Sequence, residues 1–483
     1  MMEAIEEIRR QLGEDAVSTD EEDLQTHGFS SWSTVNPDRL PVAVAYPRST
    51  EEVSAIARVC HHYRVPLVPY SGGSSLEGNF SAPHGGVSVD FHHMNKIVQI
   101  NKADMDVVVQ PSIGWQDLNA ELSKAGTGLF FPIDPGPTAR IGGMVGTNCS
   151  GTNAVRYGTM KDWVINLTVV LADGRVIKTR RRPRKSAAGY NLNGLFVGSE
   201  GTLGLVTEAT LKLAVIPEET SVAVVDFPSI RDAAAAAAAV MQAAVPVQCM
   251  EIMDEIQMRV VNQSGFTAPR VWEEKPTLFF KFSGSKPGVQ EHIESVKKIT
   301  AEKNGGKFEF AKNEQEQQLL WSARKQSLWS MLALRKEGDD VCPLTRLDGT
   351  GSTDVAVPLS RLADLIEVSK KEMDDLGMFA SVIGHIGDGN FHESFMYNKA
   401  DEGERRKVEA CVKAMVRRAL DMDGTCTGEH GVGWGKKDSL LLELGAETVG
   451  VMSAIKGSLD PRWILNPGKI IDVPWEAGKE KKQ

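Results

Sequence analysis

Twenty-six of the 45 glycines fall in five windows, 72–86, 126–158, 189–204, 384–389 and 424–435, which together span 82 of the 483 residues. Average usage of about 7% would put roughly 34 glycines in the whole chain. The total excess is small, so the crowding is the informative part. Glycine this dense marks tight turns, or backbone that lies close against a ligand. A fold for this chain must therefore give five small-residue loops something to do.

Composition narrows the class. Hydrophobic residues make up 41% and charged residues 24%, both ordinary for globular domains. The net charge of −10 argues against a nucleic-acid binder. No run of 18 apolar residues is present, so no membrane span is expected. Cysteines 60, 149, 249, 342, 411 and 426 are scattered without C-x-x-C pairs, which points to a reducing compartment rather than a disulfide framework. Residues 1–17 carry five acidic residues against two arginines and no apolar core. They read as neither a secretory signal nor a transit peptide.

The texture along the chain predicts an α+β fold. Residues 1–35 read as a helical segment. Residues 36–216 are strand-rich, with a helix over 50–64 capped by Thr50 and strands near 65–70, 87–90, 97–100, 106–111, 164–171, 175–178 and 205–213. Ala172-Asp173-Gly174-Arg175 signals a hairpin. Residues 217–422 alternate strands near 221–227, 277–282 and 353–357 with helices near 287–303, 313–336, 359–376 and 402–421, so an antiparallel sheet covered by helices is expected. Ser229 and Asp232 cap the Ala233–Ala239 helix. Residues 423–483 are expected to return to the first domain.

Two familiar nucleotide motifs are absent. Gly198, Gly201 and Gly204 have the wrong spacing for a Rossmann G-x-G-x-x-G. Gly435-Lys436-Lys437 fails as a phosphate loop, because His430 stands where its first glycine belongs and Lys437 where Ser or Thr belongs. The basic run 178–185 reads as a solvated hairpin edge.

Three loops remain as a ligand cradle. The first is Pro69-Tyr70-Ser71-Gly72-Gly73-Ser74-Ser75-Leu76-Glu77-Gly78, after a strand; adjacent glycines flanked by hydroxyls expose successive N–H groups that suit phosphate oxygens. The second runs from Phe131 through Pro135 and Thr138 to Gly142-Gly143-Met144-Val145-Gly146-Thr147-Asn148-Cys149-Ser150-Gly151, with small residues that allow backbone to lie on a flat ligand. The third is Gly198-Ser199-Glu200-Gly201-Thr202-Leu203-Gly204-Leu205-Val206.

These loops, in this order, resemble the FAD-binding domain of the vanillyl-alcohol oxidase/p-cresol methylhydroxylase type over about residues 37–216. The resemblance implies that the first loop, Pro69 to Leu76, holds the pyrophosphate. It implies further contacts to FAD from Pro135, Thr138, Gly142, Gly143, Thr147, Asn148, Gly151, Asn153 and Tyr157 in the second region. Glu200, Gly201 and Val206 in the third, and Asn466, would complete the set. Some relatives attach the flavin through a histidine in the first loop. None stands between Pro69 and Gly78, so non-covalent FAD is implied.

The fourth window contains Gly384-His385-Ile386-Gly387-Asp388-Gly389-Asn390-Phe391-His392. Taking Asp388-Gly389 as a two-residue hairpin loop sets His385 opposite His392, on one face, where a single ion can take a nitrogen from each. The fifth window contains Glu429 and His430; Glu429 could complete a His₂Glu set with an open position, leaving His430 for acid–base work.

These two windows resemble the C-terminal half of FAD-dependent D-2-hydroxyacid dehydrogenases, and with the FAD loops the resemblance spans nearly the whole chain, ending in Leu465-Asn466-Pro467-Gly468-Lys469. It implies that His385, His392 and Glu429 bind a divalent metal, Zn²⁺ or else Mn²⁺, and touch substrate. It implies that His430 is the base and that Arg324, in Trp321-Ser322-Ala323-Arg324, holds the substrate carboxylate. Members of the family oxidise D-lactate, D-2-hydroxyglutarate or glycolate. Relatives acting on dicarboxylates tend to carry a lysine where Ser352 stands, which favours a short 2-hydroxy acid, D-lactate above all. The implied acceptor is external: cytochrome c, a quinone or an electron-transfer flavoprotein. The implied location is mitochondrial in a eukaryote and cytoplasmic otherwise.

Overall fold

The structure, a computed structural model, describes residues 1–30, 33, 35–334, 339–342, 353–398 and 401–475, with 339–342 described by backbone alone. The chain divides into two compact units. The first comprises Met1–Gly151, Thr159–Ile216 and Glu429–Gln483, and the second Thr152–Gly158 and Pro217–Gly428.

The first unit contains two main sheets. One runs in the order Val17–Ser18, Ala43–Ala45, Val87–Asp90, Leu67–Tyr70, with the last three strands parallel. Helix Thr50–Tyr63 buries Val53, Ile56, Ala57 and Cys60 at helical spacing in the core beside this sheet. Its cap is Ser49, whose side chain accepts from Glu52 N–H, and not Thr50 as the sequence suggested. The Thr50 hydroxyl instead bonds Thr207. Extended backbone at Ser49 leaves its side chain able to reach the open N–H groups of the first turn. The second sheet is antiparallel, in the order Ile97–Asn101, Asp106–Val109, Leu205–Lys212, Val164–Val170, Val176–Lys178. The expected hairpin closes by Leu171 N–H to Arg175 C=O, with Gly174 at φ +84°.

The C-terminal segment belongs to this unit. Leu465 bridges Leu67 in parallel, and Asn466 N–H donates to Leu67 C=O. The buried ion pair Lys436–Glu77 at 3.2 Å anchors it, and buried Lys456 Nζ donates to Thr202 C=O at 2.7 Å. A buried charge left without its partner is costly, so these contacts strongly penalise any other path for the segment.

The second unit is an antiparallel sheet of eight strands among the described residues. The order is Phe308–Phe310, Glu219–Asp226, Thr277–Gly284, Cys249–Met253, Phe379–His385, Asn390–Asn398, Asp339–Cys342, with Val355–Ala356 also paired to Asn390–Asn398. Alternation along each strand divides its faces. Ala223, Val225, Phe280, Phe282, Met250, Ile252, Phe391 and Phe395 pack in one cluster with helices Ile230–Gln242, Lys286–Glu302, Leu362–Asp375 and Glu402–Asp421. Val222, Val224, Phe279 and Met253 face the other way, towards helices Glu255–Ser264 and Glu314–Leu334. The helices lie close to the sequence expectation. Strand Cys249–Met253 and helix Glu255–Ser264 were not anticipated, because a five-residue buried run carries no helix-or-strand period of its own.

Candidate functional site

Within the first unit the three glycine loops converge. A Cβ on Gly72 would stand 3.0 Å from Thr138 C=O and 3.1 Å from Arg140 Cγ. One on Gly143 would lie 3.4 Å from the Ser71 hydroxyl. Gly201 has φ +70°, and a Cβ there would overlap Pro69. Glu200 N–H donates to Gly146 C=O at 2.9 Å, and Gly198 N–H to Val145 C=O. First loop meets second and third, and second meets third, with the tightest approaches at Gly72 and Gly201. The Ser75 hydroxyl is buried without a hydrogen-bond partner among the described residues. Contiguous backbone with an orphaned hydroxyl fits a phosphate-bearing cofactor.

Several expected contacts serve the cradle itself. The Glu200 carboxylate is buried and accepts from Val432 N–H, Gly433 N–H and Asn79 Nδ2. Burial pushes its pKa up to about 7 against these bonds. Asn466 Nδ2 donates to Glu200 C=O and Asn79 C=O. Asn148 Oδ1 accepts from Thr159 and Lys161, and Thr147 Oγ1 donates to Gly143 C=O. A Cβ on Gly142 would press on Pro111, and one on Gly151 on Asp134. Pro69 and Tyr70 end strand Leu67–Tyr70, and Val206 lies in strand Leu205–Lys212. Asn153 and Tyr157 belong to the second unit, where Asn153 Oδ1 accepts from Gln248 Nε2.

Also in the first unit, Glu429 Oε2 accepts from the Ser150 hydroxyl at 2.7 Å, and His430 Nε2 lies 3.9 Å from Glu429 Oε1. The Cys149 thiol is held well above its ordinary pKa by burial and by the nearby carboxylates of Glu429 and Asp134, so it stays a neutral thiol.

The second unit corrects the histidine hairpin. His385 pairs with Asn390, and His392 with Ile383. The turn is not two residues but four: a 3₁₀ turn Ile386–Asp388, then Gly389 at φ +74°. The reason is packing. Ile386 is buried in the core, and a Cβ on Gly389 would overlap Val357 C=O, so the turn is pressed onto the neighbouring strand. A slip of two residues keeps side-chain parity, so both histidines still share a face. Their ring centroids are 5.8 Å apart.

That face is the one covered by helix Glu314–Leu334. The register puts Ile252 opposite Gly384, which sets Glu251 beside His385. His385 Nδ1 lies 2.8 Å from Glu251 Oε1. Arg324 Nε donates to Glu251 Oε2 at 2.8 Å. Arg324 borders the buried stripe Leu320, Ala323, Ser327 and Met331. Among the described residues its two Nη groups have no partner. His392 Nδ1 donates to Thr353 C=O at 3.0 Å. Carboxylate and carbonyl oxygens only accept, so both rings carry a proton on Nδ1. Asp354, fully buried, accepts from Asn390 Nδ2, Thr427 Oγ1 and Gly428 N–H. It fixes the backbone immediately before Glu429. Neither Glu251 nor Asp354 was singled out from sequence, since each owes its role to pairing across the sheet. Ser352, aligned with the dicarboxylate lysine, lies outside the described residues.

Residues 216–470 match the family of FAD linked oxidases, C-terminal domain, and residues 41–180 match the FAD binding domain. The chain belongs to the FAD-linked oxidase family. It is an FAD-dependent oxidoreductase. The mitochondrial D-lactate dehydrogenase (cytochrome) of Kluyveromyces lactis is 48% identical over 459 residues, covering 94% of this chain and 78% of that protein. The protein of the same name from Arabidopsis thaliana is 46% identical over 458 residues, 95% of this chain and 78% of that one. The solved structure of p-cresol methylhydroxylase with substrate bound superposes with a TM-score of 0.76 at 17% identity, over 98% of this chain and 97% of that chain, a likeness of fold. The family resemblance drawn from the glycine loops is thereby borne out, as is the α+β fold. No helix among the described residues is long and apolar enough to cross a membrane.

Proposed function

We propose that this flavoprotein oxidises a short D-2-hydroxy acid, D-lactate before D-2-hydroxyglutarate or glycolate, to the 2-keto acid. The observation that carries the reading is the Arg324 guanidinium, with two unengaged Nη groups, on the helix over the sheet face that carries two histidines engaged through Nδ1. A carboxylate beside a hydroxyl is the substrate pattern such a face suits. Two relatives named for D-lactate support the choice.

In this reading Arg324 receives the substrate carboxylate through Nη1 and Nη2. His385 and His392, with Glu429 as third ligand, would hold a divalent metal, Zn²⁺ or Mn²⁺, which when bound would supply Lewis-acid polarisation of the hydroxyl oxygen. FAD, held without a covalent bond, supplies the hydride acceptor. His430 Nε2 or Nδ1 takes the hydroxyl proton and returns it to solvent. Asp354 holds the Gly428 backbone so that Glu429 and His430 start from a fixed point.

The electron acceptor is a cytochrome, as the relatives' names suggest, ahead of a quinone or an electron-transfer flavoprotein. Their names also support a mitochondrial location if the source is eukaryotic. The deciding experiment is anaerobic mixing with D-lactate. Bleaching of the oxidised flavin band, then faster reoxidation by cytochrome c than by oxygen, is expected. A flavin left oxidised by D-lactate but bleached by another 2-hydroxy acid would reassign the substrate.

A further inference from the structure

Glu251 makes an arrangement that the roles above do not use. Its side chain is almost completely buried, and each oxygen is engaged by a different functional candidate. Oε1 takes His385 Nδ1 at 2.8 Å, and Oε2 takes Arg324 Nε at 2.8 Å. Both partners are donors toward it. A neutral amide could accept from Arg324, but its NH₂ end would meet His385 Nδ1 and force the ring proton onto Nε2. The carboxylate stands in a strand paired on both sides, so its position is set by two ladders rather than by a loop.

We infer that Glu251 is a positioning residue that ties the metal ligand His385 to the substrate-carboxylate arginine Arg324. The inference rests on the metal and carboxylate roles given above. Accepting the Nδ1 proton fixes the His385 tautomer, leaves Nε2 unprotonated, and raises its basicity towards a metal. Accepting the Nε proton holds the guanidinium plane and turns the Nη pair away from the sheet. One carboxylate therefore sets the distance between where the hydroxyl is polarised and where the carboxylate is gripped. It touches neither substrate nor metal.

The test uses flavin-loaded protein stripped with a chelator and titrated with Zn²⁺ alone, alongside KM and kcat for D-lactate. Glu251→Gln can keep both bonds only by moving the His385 proton to Nε2, the nitrogen a metal would need. Zinc affinity is expected to fall about 10- to 100-fold. KM is expected to rise about tenfold while the oxidised flavin spectrum stays that of the wild type. In an Arg324→Met background the same change should raise KM no further, while still weakening zinc. If Glu251→Gln does not fold, Glu251→Asp keeps the charge on a shorter arm. Its zinc affinity is expected between those of wild type and Glu251→Gln's predicted range, and a wild-type value overturns the proposal. His385→Ala separates the two readings. Loss of zinc in His385→Ala with wild-type zinc affinity and KM in Glu251→Gln sinks the positioning role alone. Full zinc retention in His385→Ala sinks the metal role and this proposal together.

Discussion

The two units prepare their functional groups by opposite means. In the first, the backbone does the work: Gly72, Gly142 and Gly201 let chains approach to distances where a Cβ would press on its neighbours. In the second, buried charged side chains act from a sheet face: Glu251 holds His385 and Arg324, and Asp354 holds Asn390, Thr427 and Gly428. Backbone cradles tolerate almost no substitution at the glycines. Sites held by carboxylates instead depend on the buried carboxylate keeping all of its donors.

Substitutions in each unit can break this contrast. The largest effect is expected for His430→Ala, which should keep flavin and metal but slow flavin reduction by roughly 10²- to 10⁴-fold in stopped flow. Reduction at the wild-type rate would dismiss His430 as the base. Next comes Asp354→Ala, which removes a buried acceptor shared by Asn390, Thr427 and Gly428 and should cost roughly 3 kcal/mol in urea unfolding. A loss no larger than that of a surface substitution would mean that the second unit is not held by its buried charges.

Gly201→Ala should cost about 1–3 kcal/mol and release flavin, because it adds a left-handed penalty to an overlap with Pro69. Gly136→Ala, where a Cβ meets nothing within 4 Å, should leave melting temperature and flavin content unchanged. Equal behaviour of the two would contradict the cradle. Acid precipitation should leave the flavin in the supernatant, as non-covalent FAD requires.

The smallest effect is a change of slope. Burial pushes the Lys469 ammonium down to about 7 in the folded protein, against an ordinary value of 10.5. Between these values the unfolded chain binds more protons than the folded one, so this residue makes stability rise with pH from about 7 to 10.5. Below 7 its penalty is fully present. Lys469→Met should therefore gain most in melting temperature at pH 6 and least at pH 10. A gain that does not vary with pH would remove Lys469 from the pH dependence.

How much was legible follows from the same contrast. The glycine loops could be read directly, because a position that excludes every side chain leaves a mark in the sequence. The two histidines could be placed on a shared face, because strand parity survives a two-residue slip. Their register could not be read, since it depends on Ile386 entering the core and on Gly389 meeting Val357. The Thr50 cap differed by one residue for a similar reason: two adjacent hydroxyls compete, and backbone conformation chooses Ser49.

By itself, then, the sequence determined the family, the flavin, the α+β class and the identity of the histidine, arginine and glycine candidates. The glycine and histidine candidates depend on local spacing and on residue chemistry, while the family, the flavin and Arg324 follow from the resemblance those motifs carry. The tertiary structure alone decided which carboxylates stand behind them. Glu251 lies 134 residues from His385 and 73 from Arg324, and only the pairing of strand Cys249–Met253 with strand Phe379–His385, under helix Glu314–Leu334, brings the three together. Sequence separation carries no trace of such a contact, because its energy comes from burial and from donors that meet only after the sheet has formed.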